Sequence, residues 1–221
     1  MSSDDARRPT CAEIDLANLA FNFASVKNFI GIGVKYMAVV KADAYGHGAL
    51  QCAEKLESCG IDCFGVALPE EGAQLRERRI KRPIICLGGF WSGQENLLLE
   101  KDLSPVIYRL EMAESLNRAA KEKSIQAKIH VKVDTGMGRI GVRFDAVGEF
   151  AEKLKNYKNL RVEGLMTHFA AADDLRQNPF TDLQIKRFYE AVEIFETHGF
   201  RPAYKDLANS PGAVAHEKAH G

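Results

Sequence analysis

Tyr36-Met37-Ala38-Val39-Val40 is followed by Lys41-Ala42-Asp43-Ala44-Tyr45-Gly46-His47-Gly48 and then by Ala49, Cys52, Ala53 and Leu56. The three stretches read in turn as an apolar, β-branched strand, a polar and glycine-containing loop, and the apolar stripe of a helix. The same unit recurs along the chain. Cys63 to Ala67 reads as a strand and Pro69 to Arg78 as a helix, with proline in its first turn and Glu70 and Glu71 near its positive end. Pro83 to Leu87, Leu103 to Ile107, Ile129 to Val133, Leu160 to Met166 and Tyr204 to Ala208 supply the remaining strands. Gln94 to Glu100, Glu111 to Lys123, Val147 to Tyr157 and Pro179 to His198 supply the helices between them. Upstream, Asp15 caps a helix whose apolar positions Leu16, Leu19, Phe23, Val26 and Ile30 keep helical spacing until Gly31 and Gly33 end it.

Alternating strands and helices without a doubly wound fingerprint predict an α/β fold, a (β/α)8 TIM-type barrel, because each parallel strand needs a right-handed helical crossover. Seven strands are accounted for, whereas a full barrel takes ~250 residues and this sequence stops at Gly221. The expectation is one domain over residues 1–221, truncated before or at strand eight.

Composition narrows the function. Hydrophobic residues make up 46% and charged residues 27%, with Lys+Arg 30 balanced by Asp+Glu 30. No block of like charge offers a footprint for nucleic acid or anionic lipid. No run approaches the ~18 apolar residues of a spanning helix, and Met1 to Arg8 lacks the apolar region of a secretory signal, so the reading is cytoplasmic. Cys11, Cys52, Cys59, Cys63 and Cys86 lack the paired spacing of a zinc site and read as free thiols. The histidines form no metal-ligand pattern either, and no metal is expected.

Barrels place chemistry at the carboxyl ends of their strands. Those positions hold Lys41 and Tyr45, then Lys132, Asp134 and Arg139, then His168, then Asn209 and Ser210. Lys41 ends an apolar run, which favours a partly desolvated amine able to form a Schiff base; a lysine snorkelling to solvent would occupy the same position. Tyr45-Gly46-His47-Gly48 and Asn209-Ser210-Pro211-Gly212 each precede a helix and suit either an anion or ordinary helix capping. Asp134 to Gly141 packs three glycines around Arg139, a guanidinium placed for a carboxylate or for solvent. Lys132 lies inside a strand and shares its face with His130, where a charge needs a partner. His168 reads as a structural residue or as one ligand of a site.

Ala38-Val39-Val40-Lys41-Ala42-Asp43-Ala44-Tyr45-Gly46-His47-Gly48 closely resembles the signature of the alanine racemases. The likeness continues through Glu13-Ile14-Asp15-Leu16, Val131-Lys132-Val133-Asp134-Thr135-Gly136-Met137-Gly138-Arg139-Ile140-Gly141, Gly164-Leu165-Met166-Thr167-His168-Phe169 and Ala208-Asn209-Ser210, in order along nearly the whole chain. The resemblance implies an isomerase using pyridoxal 5'-phosphate, held covalently by Lys41, to interconvert L- and D-alanine for peptidoglycan. It also implies that Lys41 is one of two bases exchanging the substrate α-proton, and that Tyr45, Asn209 and Ser210 bind the cofactor phosphate. By the same likeness Arg139 contacts the cofactor's phenolic oxygen and the substrate carboxylate, Lys132 is carbamylated, and His168 lies beside the pyridine ring.

Members of that family are homodimers in which a following, mostly β domain gives its tyrosine base to the partner's site, and an arginine after strand eight meets the pyridine nitrogen. Neither residue lies in this sequence, so the expectation is a racemase at full length and weak or no turnover from these 221 residues, since a lost base costs about 100 to 10,000-fold. A stand-alone barrel that binds pyridoxal phosphate without racemising anything is the alternative that the length allows. A metal-dependent hydrolase built on Asp43, His47 and His168 is a third reading.

Overall fold

Asp15 opens the first helix as its position predicts, its carboxylate accepting the N–H groups of Ala17 at 2.7 Å and Asn18 at 3.0 Å. Gly31, at φ 100°, closes that helix and returns its N–H to the Lys27 carbonyl. The protein is described here by a computed structural model covering residues 10–31 and 33–220; the polar stretch Met1 to Arg8 lies outside the described residues. In chain order the elements are α1 (Leu16–Ile30), β1 (Met37–Val39), α2 (Lys41–Gly46), α3 (Ala49–Ser58), β2 (Cys63–Val66), α4 (Pro69–Glu77), β3 (Ile84–Cys86) and α5 (Glu95–Glu100). There follow β4 (Ser104–Ile107), α6 (Leu110–Glu122), β5 (Ala127–Asp134), β6 (Val142–Arg143), α7 (Val147–Leu154), β7 (Leu160–Met166), α8 (Asn178–Thr197), β8 (Tyr204–Asp206) and α9 (Ser210–Ala215).

All seven strands expected from the sequence form one parallel sheet in the order β1-β2-β3-β4-β5-β7-β8. Each neighbour in space is the next long strand in the chain, the succession of a (β/α)8 barrel through its seventh strand. The two-residue β6, which pairs with the end of β5, escaped the sequence reading because it is too short for a period to register, and the six-residue α9 is the helix expected at Asn209-Ser210-Pro211-Gly212.

Strand alternation divides the core into two layers. Phe64, Ile84, Ile107, Ile129, Val131 and Leu165 face outward into the large cluster shared with Leu75, Leu98, Leu116, Phe188 and Phe195 of the helices. Cys63, Ile85, Val106 and Met166 face inward and pack with Met37, Leu87 and Tyr108. His130 and Lys132 have the inward parity of β5, and both are buried, at 3% and 6% exposure.

His130 meets its polar requirement across the interior. Its Nδ1 lies 3.0 Å from Asp206 Oδ2 on β8, and its ring stacks on Tyr204 with centroids 5.9 Å apart. Gly164, in register with His130 on β7, makes room for the ring, because a Cβ there would collide with His130 Nδ1. Gly164→Ala is therefore expected to destabilise the fold by about 2–3 kcal/mol through overpacking. Urea unfolding should show that the same substitution costs much less in a His130→Ala background; equal costs in both backgrounds would mean that the collision is relieved elsewhere.

Candidate active site

Lys41 stands immediately beyond β1, where Val40 extends the ladder by donating its N–H to the Gly65 carbonyl at 2.8 Å. The stretch from Lys41 to Gly48, read from the sequence as an irregular loop, is instead largely a left-handed helical turn. Ala42, Asp43, Ala44 and Tyr45 have φ of 51°, 54°, 52° and 57° with ψ between 34° and 51°. Four successive left-handed residues, none of them glycine, cost roughly 1–2 kcal/mol each, so surrounding bonds must hold them. The Ala44 N–H reaches the Val40 carbonyl at 2.9 Å, the Ala42 N–H reaches Glu71 Oε1 at 2.7 Å, and Asp43 Oδ1 accepts the Ala49 N–H at 2.7 Å. Lys41 is half-buried, and its Nζ lies 5.9 Å from the centroid of the exposed Tyr45 ring.

The end of β5 supplies Lys132 and, through a folded loop, Arg139. Asp134 shapes that loop by accepting the N–H groups of Gly136 and Gly138, each at 3.0 Å. Gly141, at φ 142°, lets the returning chain pass against Asp134, where a Cβ would come within 2.5 Å of the Asp134 nitrogen. Arg139 is exposed on this loop. Burial, together with the charges of Arg139 and Lys41, pushes the Lys132 ammonium down to about 8, while Asp134 pulls the other way.

His168 follows β7 and is half-buried. Burial and then the charges of Lys132, Arg139 and Lys41 push its imidazole down to about 4, so it is neutral at pH 7. The structure thus gathers Lys41, Lys132, Arg139 and His168 into one electrostatic neighbourhood at the strand ends. Asn209 and Ser210 follow β8. The Asn209 side chain caps α9 by accepting the Gly212 N–H at 3.0 Å, and Ser210 is exposed.

A buried ring of polar groups, missed in the sequence, joins the loops bearing Arg139 and His168. Thr167 Oγ1 donates to the Val133 carbonyl at 2.9 Å, and Thr135 Oγ1 lies 2.8 Å from Thr167 Oγ1. Gln184 of α8 donates Nε2 to Thr135 Oγ1 and to the His168 carbonyl, both at 3.1 Å, and its Oε1 accepts the Ala170 N–H at 3.0 Å. Arg187 donates to the Thr135 carbonyl at 2.9 Å while lying 4.0 Å from the Phe144 ring centroid. One sequence signal was available: Gln184 interrupts the apolar stripe Ile185, Phe188, Val192, and a glutamine buried at such a position needs partners.

Lys41, Lys132 and Arg139 thus bring cationic side chains together, which defines the class: a parallel β/α barrel with a cluster of basic residues at its strand ends. Among the described residues no three His, Cys, Asp or Glu side chains gather as metal ligands, and Asp43 and His47 are already bonded to local backbone.

Residues 14–221 match the family described as alanine racemase, N-terminal domain. The chain is 47% identical to the alanine racemase of Geobacter sp. (strain M21), over 95% of this chain and 56% of that protein. It is 49% identical to that of Halothermothrix orenii, over 96% of this chain and 55% of that protein. Among solved structures, alanine racemase of Clostridium difficile 630 in complex with cycloserine superimposes with a TM-score of 0.91 at 34% identity, over 96% of this chain and 58% of that one. The Bacillus anthracis alanine racemase with bound L-Ala-P gives 0.83 at 32% identity, over 94% and 53%. The chain belongs to the alanine racemase family, and it spans about half the length of the curated relatives it matches.

Folding lowers the proton affinity of His168. The unfolded chain takes up the proton first, so the stability this group contributes is whole above ~6.5 and is lost as the pH falls toward 4. In carbonate-free buffer, NMR titration of the His168 ring should give a midpoint near 4, and Lys132→Met should carry it upward toward the ordinary imidazole value. A midpoint unmoved by that substitution would show that His168 does not feel Lys132.

Proposed function

We propose that this chain is the pyridoxal-phosphate-binding barrel of an alanine racemase that interconverts L- and D-alanine by moving the α-proton between two opposed carriers. The observation that carries the reading is the convergence of Lys41, Lys132, Arg139 and neutral His168 at the strand ends. This donor set suits a planar, multiply anionic group with one carbonyl carbon open to an amine. Homology to proteins named alanine racemase favours catalysis over a stand-alone cofactor-binding barrel.

On this reading Lys41 Nζ holds the cofactor and, when free, takes or returns the proton at the substrate α-carbon. When bound, pyridoxal phosphate supplies the electron sink that stabilises the resulting carbanion. Tyr45 and Ser210 offer hydroxyls to the phosphate, with Asn209 holding the start of α9 beside them. Arg139 orients the phenolic oxygen and the substrate carboxylate, a task suited to a guanidinium. His168, kept neutral first by its burial, would stand beside the ring without adding another charge. Alanine and a second copy of the full-length protein are its partners. The cytoplasm is its compartment, in keeping with five unpaired cysteines.

Lys132 is assigned a carbamate. An amine lowered to about 8 is about one-tenth unprotonated at pH 7, far more than a lysine at its ordinary value. Its nitrogen forms a bond to the carbon of CO2 and releases a proton, giving an anion that the charges of Arg139 and Lys41 favour where they disfavour an ammonium. With 13C-labelled bicarbonate, a carbamate carbon signal is expected that Lys132→Arg removes and Lys41→Ala retains; a signal persisting in Lys132→Arg would place the adduct on another amine.

Cofactor attachment is tested directly. After addition of pyridoxal phosphate and borohydride, peptide mass spectrometry should find the reduced adduct at Lys41, and Lys41→Ala should lose it together with any exchange of the alanine α-proton in D2O. Adducts scattered over surface lysines would overturn the assignment.

A further inference from the structure

We infer that Glu71 is a positioning residue for Lys41: its carboxylate holds the left-handed turn that sets where the lysine amine stands. This rests on the reading of Lys41 as the cofactor lysine. In the sequence Glu71 is an acidic residue in the first turn of α4, with no more significance than the helix dipole gives it. In the fold it carries three hydrogen bonds. Oε1 accepts the Ala42 N–H at 2.7 Å, and Oε2 accepts those of Ala67 at 2.6 Å and Leu68 at 3.1 Å.

Ala67 and Leu68 leave the end of β2, and Ala42 leaves the end of β1. One carboxylate therefore clamps the exits of two neighbouring strands. The Ala42 N–H belongs to the peptide plane that Lys41 shares with Ala42, so fixing its direction fixes rotation about the Lys41 Cα–C bond. Every left-handed residue of the turn lies downstream of that bond. A conformation that L-residues avoid persists only where its surroundings leave no alternative, and Glu71 is the side chain that bonds to the turn from another element. Asp43, the other acid in the arrangement, bonds forward to Ala49 and ties the turn to α3.

Replacing the carboxylate by an amide of the same shape isolates the effect. In Glu71→Gln one oxygen becomes an NH2 group, and the remaining oxygen keeps the most bonds by facing Ala67 and Leu68. The NH2 then meets the Ala42 N–H donor to donor. The expected result is an Ala42 amide that exchanges with solvent at least tenfold faster and attachment of pyridoxal phosphate at Lys41 slowed at least tenfold in the folded variant, alongside a lower urea midpoint from the lost charged bond. A purely structural role would shift the midpoint and leave the attachment rate of the folded protein alone. Should Glu71→Gln fail to fold, replacing the Ala42 amide N–H by an ester oxygen removes the same single bond while keeping the carboxylate, and the same slowing is expected. Attachment at the wild-type rate in a folded variant, with wild-type protein labelled at Lys41, overturns the role of Glu71 and leaves the cofactor reading standing. Wild-type protein unlabelled at Lys41 overturns the cofactor reading and this inference with it.

Discussion

A parallel sheet with helices on its outer face and strand side chains packed on its inner face leaves inward polar groups few ways to be satisfied. Inside, each buried polar group needs a hydrogen-bond partner. His130 finds Asp206, and Gly164 gives up its side chain to let it do so. Lys132, one inward position nearer the rim on the same strand, feels Arg139 and Lys41 more than it feels Asp134. From that difference follows a division along β5: a hydrogen-bonded pair in the interior and a cluster richer in cations above it. The site is thus a consequence of strand parity as much as of the individual residue types.

The bonds that shape the mouth are not made by the groups proposed to meet the ligand. Asp134 folds the loop that carries Arg139, and Gln184 binds that loop to the one that carries His168. Arg187 adds a further tie to Thr135 while its guanidinium lies against Phe144. These residues explain how exposed loops on separate strands keep a common geometry. The family relationship agrees with such a framework, since superposition on the Clostridium difficile enzyme remains close at 34% identity.

Much of this was legible in the sequence, for identifiable reasons. Asp15 announces a helix start through its own capping chemistry, and the strands announce themselves through local apolar runs bounded by turn residues. The burial of Lys132 followed from parity alone. What escaped has a different origin. Ala42, Ala44 and Tyr45 carry no side-chain signal for positive φ, so the turn they form depends on a glutamate 29 positions away. Thr135 and Gln184 are 49 positions apart, and His130 and Asp206 are 76 apart. Pairings of that kind exist only once the topology has brought the elements together.

The left-handed turn also has a consequence for the order in which the protein matures. A right-handed helix can flicker into existence within an isolated peptide, but a left-handed one built from alanine, aspartate and tyrosine cannot hold itself. Its clamp lies on α4, beyond the whole of β2. During synthesis the lysine therefore emerges from the ribosome well before the geometry that makes it distinctive, and remains one ordinary amine among many until β1 and β2 have paired. On the proposed function, competence to capture a cofactor is in this sense a report that this part of the barrel has assembled, written in backbone angles that the unfolded chain has no means of keeping.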